Sequence, residues 1–304
     1  MRVFLAGATG VIGTPLVPQL VNAGHHVTAM TRSVLRAAQL EAAGAHPVVC
    51  DVYDAGGVRA AIADAAPEAV LHQLTSLPPR LDWGDPTLFD ANNRIRIEGT
   101  RILVDAALAA GARRFVAQSV AFVYAPTGDW VKAEDAPLFT AAPAPLGAAI
   151  AAVVELERLV TGAAGLEGVV LRYGTLYGPG TYYDRRGSAA ADVRAARVPL
   201  VEGATGMYSW LHVEDAASAA VAALERGAPG IYNVVDDEPA AQPEWLPVLA
   251  QALGADPPPA AETRPPPDAP DMSLRGASNA KAKRELGWGP RYASWREGFA
   301  AGLA

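Results

Sequence analysis

In the first half of the chain, short apolar runs alternate with segments of helical spacing. Val3 to Ala6 is apolar throughout and stops at Gly7, as a strand buried on both faces of a parallel sheet should. Val11 to Ala23 predicts a helix ended by Gly24. Pro15 falls in its first turn, where proline is tolerated; Pro18 lies a turn deeper and should bend or weaken it. His26 to Met30 predicts a second strand, Ser33 to Ala42 a helix closed by Gly44, and His46 to Cys50 a third strand. Val58 to Ala65 predicts a helix and Ala69 to His72 a fourth strand. Pro86 to Ala110 predicts one long helix ended by Gly111, and Arg114 to Gln118 a fifth strand. This alternation implies an α/β chain with a parallel sheet and right-handed crossovers.

The second half is less regular. Residues 125–145 form a loop rich in Pro, Ala and Gly, followed by a helix over Leu146 to Val160 and a strand over Val169 to Arg172. Ile231 to Val234 predicts a strand, Trp245 to Leu253 a helix, and Trp295 to Gly302 a last helix. Residues 257–270 carry two proline triplets and predict a stiff, extended surface connector. There are no internal repeats.

Composition narrows the classes. The chain has 304 residues, 51% of them hydrophobic, enough for one large domain or a domain with a lobe. The formal charge of −7 and the scattered arginines give no basic patch, which argues against nucleic acid as a partner. Cys50 is the single cysteine, so no intrachain disulfide or cysteine-based metal site is possible, and a reduced, cytoplasmic location is expected. The apolar start runs at once into a glycine turn, which fits a strand better than a signal peptide. No stretch reaches the length of about 18 apolar residues that a membrane span needs. No His/Asp/Glu set has metal-ligand spacing.

The turn after the first strand reads Gly7-Ala8-Thr9-Gly10-Val11-Ile12-Gly13. The first glycine permits a tight turn, the second lets backbone approach a pyrophosphate, and the third allows close helix–strand packing. The helix amino terminus then offers free N–H groups to the diphosphate, so Gly7, Thr9, Gly10, Val11, Ile12 and Gly13 are candidate dinucleotide contacts. At the end of the second strand, NAD binders usually place an acid for the ribose hydroxyls. Here Met30-Thr31-Arg32-Ser33 has none. Arg32 can grip a 2′-phosphate bidentately and Ser33 can add a donor, which favours NADP. The alternative is a solvated arginine at a helix start. Asp51 and Val52 follow the third strand, where they suit the adenine, or where Asp51 caps the next helix.

Several further segments carry a resemblance. They are Glu98-Gly99-Thr100-Arg101, Val123-Tyr124, Leu171-Arg172-Tyr173-Gly174-Thr175-Leu176-Tyr177-Gly178-Pro179-Gly180, His212-Val213-Glu214-Asp215, Tyr232-Asn233-Val234 and Glu285-Leu286-Gly287-Trp288. With the glycine turn, and in this order, they resemble the extended short-chain dehydrogenase/reductase family, NAD-dependent epimerase/dehydratases included. The resemblance spans nearly the whole chain. It implies a Rossmann-type doubly wound parallel sheet, mainly residues 1–173, and a small C-terminal α/β substrate lobe, mainly 174–304, with the chain interleaving between them. It also implies cofactor contacts at Leu74 and Thr75, and a homodimer through the helices near 87–110 and 146–160. The run Ala148 to Ala152 would let helices approach closely, although an alanine-rich coding bias explains it equally well.

The family's acid–base residues are replaced. None of the nine tyrosines is followed four residues later by lysine. Val120 stands where the family has Ser or Thr, Leu146 where it has Tyr, Ile150 where it has Lys, and Arg96 where it has a structural Asn. Ser119 is adjacent to the first position but points to the other face of a strand. This resembles the atypical branch of the family. Losing a positioned acid–base group costs about 10²–10⁴ in rate, or about 3–5 kcal/mol of barrier.

The substitutes to weigh are Tyr124, Tyr177, Tyr182 with Tyr183, and His72. Each is also readable as a packing aromatic or a satisfied strand histidine. Tyr182-x-x-x-Arg186 imitates the missing spacing in a loop. Lys132 is expected to be exposed and Asp215 to cap a helix. By resemblance, Leu74 to Leu77, Val120 to Val123, the Pro179 to Arg186 loop and Met207 to Trp210 line a largely apolar and aromatic pocket. That suits a hydrophobic or aromatic small molecule, although Arg185 and Arg186 leave a sugar nucleotide open. Three functions remain: an NADP-dependent oxidoreductase with a non-standard proton source, a redox-neutral epimerase, dehydratase or cyclase, and a non-catalytic NADP-binding sensor.

Overall fold

The computed structural model describes residues 1–201, 203–261 and 271–303. The first half runs β1 (Arg2–Ala6), α1 (Gly13–Asn22), β2 (His26–Thr31), α2 (Val34–Ala42), β3 (His46–Val49), α3 (Ala55–Ala65) and β4 (Ala69–His72). Then come α4 (Asp90–Arg94), a π-helical turn (Ile95–Gly99), α5 (Thr100–Ala109), β5 (Arg114–Val120), β6 (Val131–Lys132), α6 (Leu146–Thr161), β7 (Glu167–Tyr173) and β8 (Thr175–Tyr177). The rest is α7 (Ser188–Arg194), β9 (Met207–Tyr208), β10 (Trp210–His212), α8 (Val213–Glu225), β11 (Gly230–Val234), β12 (Ala240–Ala241), α9 (Gln242–Ala252), β13 (Gly276–Ala277), a second π-helical turn (Ala282–Leu286) and α10 (Trp295–Ala301).

Seven strands form one parallel sheet in the order β11-β7-β5-β4-β1-β2-β3. Alternation along β1 shows why both faces carry helices. Val3 and Leu5 pack with Leu16, Val17 and Leu20 of α1 and Ala216 to Ala223 of α8. Phe4 and Ala6 point the other way, to Val58 and Ile62 of α3, Leu103 of α5 and Leu156 of α6. The late strand β11 returns to pair with β7 at the edge of the sheet. A separate aromatic core, with Tyr177, Trp210, Trp245, Trp295 and Phe299, holds the C-terminal lobe together.

The helix α1 runs through Pro18, with Leu16, Val17 and Leu20 anchoring it in the core despite the lost hydrogen bond. Two local expectations are corrected. The helix expected from Pro86 starts at Asp90. The Asp85 carboxylate accepts from the Thr87 backbone and hydroxyl and makes a turn there instead. That helix is also interrupted by the π-helical turn carrying Arg96. Residues 262–270 of the proline-rich connector lie outside the described residues. Its first part pairs with the chain at Leu200, whose N–H donates to Pro259 O at 2.7 Å.

Candidate active site

The glycine turn follows the carboxyl end of β1, an interior strand of the sheet. Gly7 has φ +95°, and a Cβ there would come within 2.6 Å of the Gln73 carbonyl carbon. A Cβ on Gly13 would lie 2.1 Å from Gly7 O. Both positions therefore require glycine. The Gly10 N–H donates to Gly7 O at 3.0 Å and closes the turn. No side chain caps α1 and no acid lies in its first turn. The Thr14 N–H donates to Gly10 O at 2.9 Å, and the partial positive charge of the helix end, with no acid to offset it, suits a phosphate.

At the end of β2 the Ser33 hydroxyl accepts from Arg36 N–H and caps α2. Arg32 is exposed beside it. A second arginine, missed in the sequence reading, joins it: Arg36 Nη1 donates to Thr9 O at 3.0 Å, tying α2 to the glycine turn. Its signal was available, since it follows the cap by three residues in the first turn of α2. Asp54, not Asp51, caps α3, accepting from Gly57 N–H at 2.9 Å. Asp51 accepts from Tyr53 N–H and stays exposed at the end of β3, with Val52 buried beside it. At the end of β4, Leu74 is half-buried and accepts from Gln118 Nε2, and Thr75 is exposed.

The three aliphatic replacements come together. Val120, Leu146 and Ile150 belong to one apolar cluster with Val123, Val153, Leu138 and Phe139. Ser119 donates to the carboxylate of Glu157, on the same helix α6 that carries Leu146 and Ile150. Glu157 also forms a buried two-point pair with Arg172. Arg96 is buried between the π-helical turn and α6, with Nη1 near Ala149 O at 3.4 Å. Burial pulls its pKa down to about 10, against the opposing pull of Glu157.

The candidate substitutes are placed as follows. His72 is fully buried, bonded through Nε2 to the Thr100 hydroxyl and accepting at Nδ1 from Leu74 N–H. Burial and the nearby Arg96 charge lower its pKa to about 4, so it is neutral at pH 7. Tyr124 donates to Asn233 Oδ1 at 2.6 Å and accepts from Arg172, and burial raises its pKa. Tyr177 packs edge-on to Trp210 and Phe299 in the lobe core, and burial raises its pKa strongly. Tyr183 packs against Trp210 and Trp245. Tyr182 donates to Pro78 O at 2.6 Å, joining the loop after β8 to the loop after β4. Arg186 lies in that loop and is exposed.

Two expectations fail here. Lys132 is buried, not exposed: β6 pairs with β13, and its ammonium donates to Thr127 O. Asp215 does not cap α8; His212 does, through Nδ1. Asp215 instead accepts from the backbone N–H groups of Arg291 and Tyr292, anchoring the C-terminal segment.

Of the expected pocket residues, Phe122 meets Met207, Tyr208 and Ser209 in a narrow crevice between sheet and lobe. A roomier concavity, about 550 Å³, lies at the far end of α1 from the glycine turn. Among the described residues no group of three or more His, Cys, Asp or Glu could hold a metal, and no helix is long and apolar enough to cross a membrane.

The sequence model of the NAD dependent epimerase/dehydratase family matches residues 3–234. The chain belongs to this family. Within it, the chain is 50% identical over 311 residues to a 3-diazoavenalumate denitrifying reductase of Streptomyces sp, covering 98% of this chain and 99% of that protein. It is 28% identical to a UDP-glucose 4-epimerase of Mycolicibacterium smegmatis, covering 96% and 95% of the two chains. The solved UDP-glucose 4-epimerase of Thermus thermophilus in complex with NAD superposes with a TM-score of 0.74 at 26% identity, covering 100% and 98%. This family member is an NAD(P)-dependent enzyme of the oxidoreductase or epimerase type.

Proposed function

We propose that this enzyme is an NADPH-dependent reductase that delivers hydride to a carbon bearing a diazonium group and releases dinitrogen. The observation that carries the reading is the apolar cluster of Val120, Leu146 and Ile150, where the family's acid–base groups would stand. Reducing a carbonyl needs a proton at oxygen, and these side chains have none to give. A diazonium carbon needs none. The C–H bond forms as the C–N bond breaks, and dinitrogen leaves with that bond's electron pair. NADPH, when bound, supplies the hydride and is left as NADP⁺. The name of the 50% identical relative, a denitrifying reductase of a diazo compound, supports the same chemistry here. So does the aliphatic character of that cluster, which offers no hydrogen-bonding partner to the water that would hydrolyse a diazonium ion.

The cofactor fits the residues present. Gly7 and Gly13 leave a cradle that a Cβ would fill, and the amino-terminal end of α1 suits the pyrophosphate. Arg32 and Arg36 hold the 2′-phosphate, with no acid in the segment to repel it. The redox-neutral alternative loses support, because epimerisation and dehydration also move protons. The enzyme is further proposed to pair as a homodimer through α5 and α6, which leave Leu108 and Val154 exposed. Mixing 3-diazoavenalumate with NADPH and enzyme tests the reading. Dinitrogen release should equal NADPH oxidation mole for mole. NADPH oxidation without dinitrogen, or a hydroxylated product, would refute it.

A further inference from the structure

We propose that Arg275 holds a carboxylate of the substrate and so fixes which end of the molecule faces the cofactor. The substrate's class rests on the reading above; the anion site rests on the geometry. Arg275 immediately precedes β13, and its side chain is only 5% exposed. Nη1 donates to Ser273 O at 3.0 Å, and Nη2 pairs with Asp271 at 3.2 Å. Among the described residues, the buried Nε–H has no acceptor. Buried donors are nearly always satisfied, so such a group points to a ligand acceptor.

The guanidinium lies over the Trp130 ring, 4.1 Å from its centroid, which fixes its plane. It lines the crevice between sheet and lobe, together with Phe122, Thr175, Met207 and Tyr208. The room there is about 10 Å³, space for about one water-sized atom such as a carboxylate oxygen. Asp271 is half exposed and occupies another nitrogen of the fork, so the charge is steadied without blocking Nε. Phe122 and Tyr208 give the crevice aromatic walls, which strengthen a charge-assisted hydrogen bond by excluding water. A diazonium carboxylate has a cationic and an anionic end. Arg275 repels the first and attracts the second, and the molecule can enter in one sense only.

Calorimetric titration of the NADP⁺-bound enzyme with cinnamate and with cinnamide tests this without any turnover. Cinnamate should bind at least about tenfold more tightly than cinnamide. Arg275→Gln should abolish that preference, and Arg275→Lys should retain part of it, with NADPH affinity unchanged in both. If Arg275→Gln fails to bind NADPH, and so to fold, Arg275→Lys decides in its place: cinnamate affinity equal to wild type would then count against the proposal. A preference kept in Arg275→Gln, or wild-type enzyme that binds neither compound or both alike, overturns it. Because no reduction is measured, a failure of the diazonium reading would leave these titrations unaffected.

Discussion

Ile150 and Val120 belong to one apolar cluster, so hydrophobic side chains fill both the place where the resemblance puts a lysine and the place where it puts a hydroxyl. Ile150 is 1% exposed. A charge put there would be buried without a partner. Ile150→Lys should therefore lower stability by about 3 kcal/mol or more and should not raise the rate. Urea unfolding of the variant beside the wild type checks the first part, and NADPH oxidation checks the second.

Gly13→Ala should lose cofactor before it loses fold. The added methyl would meet Gly7 O, and the turn must open to admit it. NADPH affinity should fall at least about tenfold, measurable by quenching of NADPH fluorescence, with the far-UV spectrum retained.

Arg32→Ala should weaken NADPH binding about 10- to 100-fold, as expected for a lost charge-assisted hydrogen bond. NADH affinity should barely move. Equal losses for both cofactors would remove the case for a 2′-phosphate site.

Asp236 provides a pH test. It is buried, its Oδ2 has no partner among the described residues, and burial raises its pKa to about 8. The native state therefore binds a proton that the unfolded state releases near its ordinary carboxylate pKa. The stability this proton confers is full at low pH and is lost as pH rises through about 8. Asp236→Asn removes the titration. Its stability relative to wild type should climb by about 1 kcal/mol per pH unit between pH 4 and 8, then level off. A flat difference in urea midpoints across that range would contradict this.

Much of the sheet was legible because its strands are apolar on both faces, and runs such as Val3 to Ala6 announce themselves. The glycine turn was legible because Gly7 and Gly13 obey steric rules local to the sequence. What escaped depends on contacts between distant segments. Lys132 is buried because β6 meets β13, and no local pattern encodes that pairing. Asp215 looks like a helix cap until residues 291–292 fold onto it. Arg275 carries no motif; its crevice exists only once the ends of β5 and β8 meet β9. The π-helical turn that carries Arg96 shifts the helical phase by one residue, which periodicity over 86–110 does not reveal.

The most direct test of the central claim is the origin of the hydrogen that replaces the diazo group. The enzyme is given its diazo substrate and NADPH deuterated at either face of C4, in ordinary water. The account predicts that one of the two cofactors labels the product at the carbon that bore nitrogen, one deuterium per dinitrogen released. The same reaction run in D₂O with unlabelled NADPH should leave that carbon unlabelled. Deuterium arriving from D₂O, or from neither cofactor, would contradict it.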